Sequence, residues 1–303
     1  GIGAIALWTS RRHIMRIIGR VFVRKTDDGL YYLAVFGMIF GTSIMVLFWY
    51  KAGLSPWVAI IYFVTYFILC LGMTRMRAEL GPPTHELHNA HPDRIMVGFL
   101  GTRAIGPANL THTTLLSWLA YGYRCHPMPH QLEGFKIGSY FNINQRRLVI
   151  AIIVASIIGA FLSILLHVSL YYRFQFAKWG IGNFNYLRSR ILFPKSPNFQ
   201  VMQQVGIGFF ITATLTVLKR RFIWWPFYPA GYAVGKGWAM TWLWFSIFLG
   251  WLTKRLLFAA GGVKYYRMML PLFLGFIFGQ FTAGSLWSLL GIILGKNVYT
   301  MFP

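Results

Sequence analysis

Residues 148–172 read LVIAIIVASIIGAFLSILLHVSLYY. The run holds no Lys, Arg, Asp or Glu. A helix needs about 20 apolar residues to cross the hydrocarbon core of a bilayer, so this run is long enough to do so alone. Lipid offers the backbone no hydrogen-bond partners, and a helix satisfies its N–H and C=O groups within the segment. Five further runs read the same way: Leu30–Tyr50, Pro56–Met73, Gln204–Leu218, Trp238–Phe258 and Leu270–Gly295. Gln204–Leu218 is short, at about 15 residues, and crosses only if Met202 and the stem of Lys219 are drawn in by snorkelling.

The composition agrees. The chain is 56% hydrophobic and 12% charged, about half the charged share of a soluble domain. Its 12 Trp suit aromatic belts at two membrane interfaces. Neither Cys70 nor Cys125 has a CxxC partner, which argues against a structural disulfide or a thiolate metal cluster. All six carboxylates lie before residue 134, and 17 Lys and Arg follow without a counter-charge. These basic residues punctuate apolar runs and form no polar domain, so nucleic acid is not the expected partner. Anionic lipid headgroups are, at about 1 kcal/mol per basic side chain near the surface. An acidic partner subunit is the other candidate counter-charge.

The first residues, GIGAIALW, are apolar and then stop at Ser10-Arg11-Arg12. Eight such residues neither span a bilayer nor have the order of a signal peptide. They read as the tail of a helix whose beginning lies upstream. Arg11, Arg12, Arg16, Arg20, Arg24 and Lys25 alternate with apolar residues, which makes a basic amphipathic stretch. It either lies on a cytoplasmic membrane face or connects two spans.

A long polar stretch, residues 74–147, separates the second and third spans. Within it, Ile95–Gly101 and Leu110–Tyr123 are apolar but too short to cross, and GTRAIGP (101–107) divides them. Two short helices around a Gly/Pro break read as a re-entrant hairpin or as amphipathic surface helices. Irregular backbone at membrane depth is tolerated only where protein buries it or water reaches it, and transporters build binding sites there. A second break runs from Pro226 to Gly237. It holds Lys236, which is either an interfacial anchor or a costly charge at membrane depth. Gly37/Gly41 and Gly275/Gly279/Ala283 recur at four-residue spacing, which suits close helix packing. Positive-inside counting places the N-terminal stretch, 74–147 and Lys219-Arg220-Arg221 on one side, but leaves 173–203 and Lys254–Arg267 on the wrong one.

The densest polar run is THELHNAHPD, 84–93. A helical zincin needs histidines at i and i+4, and His85, Glu86 and His88 fail that template. His85 and His88 remain weak metal candidates. The histidines serve equally as hydrogen-bonding groups at a cavity mouth, or as proton carriers. Glu79 follows Arg75 and Arg77 at the end of the second span, as a local ion pair or as part of a solute site. Arg124, His126, His130 and Glu133 crowd the run YRCHPMPHQLEGF, 123–135. No GxSxG, P-loop or Rossmann fingerprint occurs, so no enzyme is expected and no cofactor is required.

RMRAELGPPTHELH (75–88), LGTRAIGPANLT (100–111), YRCHPMPHQLEGF, WWPFYPAGYAVG (224–235) and GGVKYYRMMLPLFLGFIFGQ (261–280) resemble a family of uncharacterised bacterial integral membrane proteins. That family is distantly similar to oligopeptide transporters. The resemblance covers about Ser10 to Gly295 and implies a longer parent with further spans upstream. It carries over Arg77, Glu79, His85, His88, Arg124, Pro127, Pro129, His130 and Glu133 as motif positions of unknown role.

The expectation is an all-α, polytopic transmembrane bundle of about six spanning helices plus a re-entrant or broken-helix hairpin. Residues 1–28 form a helix tail and basic connector, and 29–303 a single transmembrane domain. The expected function is secondary transport of peptide-like or metal-chelate solutes across a bacterial cytoplasmic membrane. Residues 75–135 would line the path. Arg103, Arg124 and Lys236 would attract carboxylates, and Glu79, Glu86 and the histidines would handle an amine, a metal or a proton. The alternative is a structural subunit of a respiratory or photosynthetic complex, with His167 as the first candidate to ligate a haem or chlorophyll. A transporter should purify alone or as a homo-oligomer, and a subunit with its partners.

Overall fold

A computed structural model describes residues 1–23, 29–81, 90–121, 123, 126–174, 180–235, 237–296 and 298. The regular elements among these residues are all helices, with no strand: α1 (Ile2–Phe22), α2 (Gly29–Lys51), α3 (Pro56–Leu80), α4 (Pro92–Ile105), α5 (Pro107–Leu115) followed by a 3-10 turn (Leu116–Ala120), α6 (Pro127–Tyr140), α7 (Gln145–Phe174), α8 (Gly180–Leu192), α9 (Phe199–Arg221), α10 (Pro229–Gly235) and α11 (Trp238–Leu294). Five helices are long and apolar enough to cross a membrane: Tyr31–Lys51, Pro56–Leu80, Gln145–Arg173, Phe199–Arg221 and Met240–Leu294. The contacts divide the chain into two units, Gly1–Met240 and Thr241–Pro303.

The first unit is organised on α3. Pro56 sits at its first turn, where the missing N–H costs nothing, and Gly81 closes it in the left-handed conformation at φ 54°. Half of its apolar window is buried, unlike that of any other candidate span. Its first half packs Val58, Ala59, Tyr62 and Phe63 against Met96, Ile105, Leu110 and Leu116. Its second half packs Tyr66, Cys70, Met73 and Met76 against Ala120, Tyr123 and Ala230.

The polar connector runs the length of α3. Ser55, at the start of α3, donates its N–H to Asn109 Oδ1 at 2.9 Å. The Tyr62 hydroxyl donates to the Leu116 carbonyl at 2.9 Å. Tyr66 stacks on Tyr123 with ring centroids 6.2 Å apart. Arg77, near the end of α3, pairs with Glu133 at 2.5 Å. Positions 109, 116, 123 and 133 therefore meet 55, 62, 66 and 77 in order. The chain leaves α3 at its C-terminal end, reaches the N-terminal end by Asn109 and returns. At 1.5 Å per residue that path is about 35 Å each way.

Two glycines permit the reversal. Gly101, at φ 77° and ψ 159°, breaks α4, and Gly106, at φ 80° and ψ 157°, precedes α5. Both angles lie where only glycine is at ease. At Gly101 there is a further reason. A Cβ there would stand 2.7 Å from the Lys195 carbonyl oxygen. The strap 193–198 crosses at that point. The Thr102 N–H donates to the Lys195 carbonyl at 2.9 Å, and the Asn198 N–H to the Gly98 carbonyl at 2.9 Å.

α1 crosses α3 through glycine. Gly3 lies against the carbonyl of Ile68, with Gly72 opposite. The helix runs unbroken through Ser10-Arg11-Arg12. The stripes singled out from spacing behave differently: nothing approaches within 4 Å of a Cβ at Gly37, Gly41, Gly275 or Gly279.

In the second unit, the fifth and sixth expected spans fall within one helical element, α11, in place of two helices separated by a loop. The residues between them, AAGGVKYYRMM (259–269), hold two adjacent glycines but no Pro, Asn, Asp or Ser to make a turn. Gly262, at φ 62° and ψ −147°, interrupts the helix. The rings of Phe258 and Tyr266 then stack 5.3 Å apart. Eight residues of straight helix would cover about 12 Å, so the chain bends there.

Candidate functional site

The polar groups of the first unit gather in three places. The first is a pocket of about 190 Å³ between α1, α3, α9 and α10. Ile2, Ile5 and Ala6 form its apolar wall, and Arg75, Glu79, Lys219, Arg220 and Tyr228 its polar one. Arg75 and Glu79 are four residues apart on the last turns of α3, so they share a face and pair. The Tyr228 phenol is pushed above its ordinary pKa, first by burial, then by its hydrogen bond to Glu79 and that carboxylate's charge, against the opposing effect of Arg75. It therefore stays a neutral donor. The Lys219 ammonium lies 5.6 Å from the Tyr228 ring centroid. Arg220 Nη2 donates to Thr9 Oγ1 at 3.2 Å. One carboxylate and three cations line this small cavity, which suits a solute that presents a carboxylate and a short apolar group.

The second is a buried ion pair in the middle of the unit. Asp93 enters the first turn of α4 behind Pro92. Its Oδ2 accepts from Arg190 Nη1 of α8 at 3.0 Å, and each side chain is 6% exposed. The Arg190 guanidinium lies 3.9 Å over the ring of Tyr186. His91 Nδ1 is 3.9 Å from Asp93 Oδ1. Alongside, the Tyr123 hydroxyl donates to the Ala90 carbonyl at 2.9 Å. His126 is buried beside it, with its ring 5.7 Å from that of Tyr66. Its Nδ1 accepts from the Met128 N–H at 3.3 Å, so it caps α6.

The third is an open groove along α4, α8 and the strap, where Arg103 lies.

The expectation of one continuous path lined by 75–135 thus resolves into separate places. Glu79 lines the pocket, Arg77 and Glu133 join α3 to α6, and Arg103 borders the groove. His130 is exposed on α6 and does not line the pocket. His167 is exposed on α7. His85, Glu86, His88, Arg124 and Lys236 lie outside the described residues. Among the described residues no three His, Cys, Asp or Glu side chains group as metal ligands, so His91, His112, His126 and His130 do not converge. Three pocket residues carried no chemical signal in the sequence. Lys219 and Arg220 read as loop charges on one side of the membrane, and Tyr228 sits among aromatics in WWPFYP.

Over residues 1–303 the sequence matches a family of unknown function, DUF6785. The chain belongs to the DUF6785 family. No match is found among curated proteins or among solved structures. The pocket and the buried pair in this DUF6785 chain are therefore interpreted from their own chemistry.

Proposed function

We propose that this chain is a secondary transporter of small carboxylated solutes, peptide-like or metal-chelate in class, in a bacterial cytoplasmic membrane. The observation that carries the reading is the pocket where Glu79, held by Arg75 and Tyr228, faces Lys219 and Arg220. A volume of about 190 Å³ is below the ~300 Å³ at which pockets enclose drug-sized ligands, so it takes a small solute or one end of a peptide. The cations would hold the carboxylate, and Glu79 would exchange a proton or meet an amine. In this reading α3 spans the bilayer and the connector 90–121 is a re-entrant hairpin at membrane depth. The bend at Gly261–Gly262 would divide α11 into two crossings and bring the total to six. The resemblance of the 75–135 motifs to relatives of oligopeptide transporters points the same way.

Uptake into proteoliposomes tests the reading. Glu79→Gln should reduce uptake of a dipeptide at least about tenfold while leaving the protein folded, as expected of a group that changes charge in the cycle. His130→Ala, outside the pocket, should retain uptake. Equal uptake by Glu79→Gln and the unaltered protein would count against transport through this pocket.

A second reading, a structural subunit of a larger membrane complex, is favoured by α7. None of its apolar window is buried within the chain. Purification in mild detergent distinguishes the two, because a subunit brings stoichiometric partners or a visible absorption band.

A further inference from the structure

The Glu79 pocket has a neighbour. α1 and α9 run side by side in the same direction: Gly1 lies against Thr212, and Thr9 Oγ1 accepts from Arg220 Nη2 at 3.2 Å. On the flank of this pair that carries Ala4, Trp8, Phe209, Ala213 and Val217 lies a second cavity, an open groove of about 580 Å³. Ile5, Thr9, Thr216 and Arg220 line both spaces. The pocket and the groove therefore adjoin, and the Arg220 guanidinium stands at their common boundary.

Their characters are opposite. The pocket gathers Arg75, Glu79, Lys219 and Tyr228, whereas Arg220 is the one charged residue among those lining the groove. Phe209, Ala213, Val217 and Arg220 follow one another at spacings of four and three, so they share one face of α9. From Phe209 to Arg220 that face is about 16 Å long. The groove walls are accessible: Trp8 is 68% and Val217 64% exposed, and Arg220 is exposed as well. Arg11 rests 4.0 Å over the Trp8 ring and donates to the Trp8 carbonyl at 2.7 Å, which brings a further cation to the Arg220 end. An apolar trough that closes on cations fits an anionic head with one apolar chain. The Glu79 charge beside the head favours a monoanion over a dianion, because like charges repel. A single groove takes one chain, whereas a bilayer phospholipid has two.

We propose that the pocket and the groove form one site for an amphiphilic monocarboxylate, its head held by Arg220 and Lys219 and its aliphatic tail laid along α9 between Trp8, Phe209, Ala213 and Val217. The inference rests on the reading of the Glu79 pocket as a carboxylate site, and it narrows the solute to one that carries an apolar chain. With α9 as a span, such a ligand enters the groove sideways from the bilayer.

The test measures binding of radiolabelled octanoate to the full chain in phosphatidylcholine nanodiscs, with empty nanodiscs subtracted. Binding should saturate. Displacement by unlabelled butyrate, hexanoate and decanoate should strengthen about fourfold per added methylene, the gain expected when each CH₂ is buried. Ala213→Phe, which fills the groove, should flatten that series while butyrate keeps its affinity. Should that variant not fold, Val217→Gln decides, because its side chain is exposed and the change makes the groove polar without touching the interior. Arg220→Gln should weaken every acid alike. No saturable binding, or a series that the folded groove variants leave as steep as before, overturns the proposal. Displacement of octanoate by phosphatidylglycerol in preference to phosphatidylcholine assigns the groove to a bilayer phospholipid and overturns it as well. The two readings fail separately. A flat series with uptake still lost in Glu79→Gln overturns this inference alone, and a steep series with uptake indifferent to Glu79→Gln overturns transport alone.

Discussion

At the scale of single residues, the Asp93–Arg190 pair shows the limit of reading chemistry from a string. Asp93 was visible at the end of THELHNAHPD, but it looked like one polar residue in a polar run. Arg190 was one of five basic residues in 173–203. The two are 97 positions apart, and no local pattern announces that they meet in the interior. Removing one charge strands the other, which costs about 3–5 kcal/mol, whereas removing both costs far less. Asp93→Ala should therefore lower the thermal unfolding midpoint in detergent sharply, and Asp93→Ala/Arg190→Met should recover much of the loss. A double variant no more stable than the single would show that the pair is not coupled.

At the scale of helices, hydropathy locates the spans well, because length and apolar content are local properties. Leu30–Tyr50, Pro56–Met73 and Leu148–Tyr172 all lie within helices that can cross a membrane. What hydropathy misses are helices defined by what they touch. α8 is too basic to stand out, and the apolar run at the start of α1 stops at Ser10, yet the helix continues to Phe22. Glycine spacing misled for the same reason. A small-residue stripe states that a neighbour can approach closely, and only the neighbour's presence makes the glycine necessary. Gly3→Ala drives a Cβ into the Ile68 carbonyl and should destabilise by about 1–3 kcal/mol, as overpacking does. Gly37→Ala meets nothing within 4 Å and should leave stability unchanged or raise it slightly. Denaturant titration of the two variants checks the contrast, and equal effects would contradict the α1–α3 crossing.

At the scale of the whole chain, the positive-inside conflict and the path of the connector have one explanation. The rule concerns loop charges that are free to meet lipid and the translocation machinery. In 173–203, Arg190 is buried against Asp93, and Lys195 belongs to a strap bonded to α4, so counting both as free loop charges overstates the retention signal. The sequence could show that 74–147 was broken by Gly and Pro. It could not show how far the broken segment travels, because that depends on Ser55, Tyr62, Tyr66 and Arg77 as partners. If α3 crosses the bilayer, the connector crosses and returns beside it. Asn109 then lies on the Ser55 side, and α6 on the other. Exposed positions allow a direct measurement in sealed vesicles with a membrane-impermeant maleimide, in a background with Cys125 replaced by Ser and Cys70 buried. Ala52→Cys and Ala108→Cys should be labelled from the same side, and Lys136→Cys from the opposite one. Labelling of Ala108→Cys together with Lys136→Cys would place the whole connector on one face of the membrane and remove the re-entrant hairpin that the transport reading sets at membrane depth.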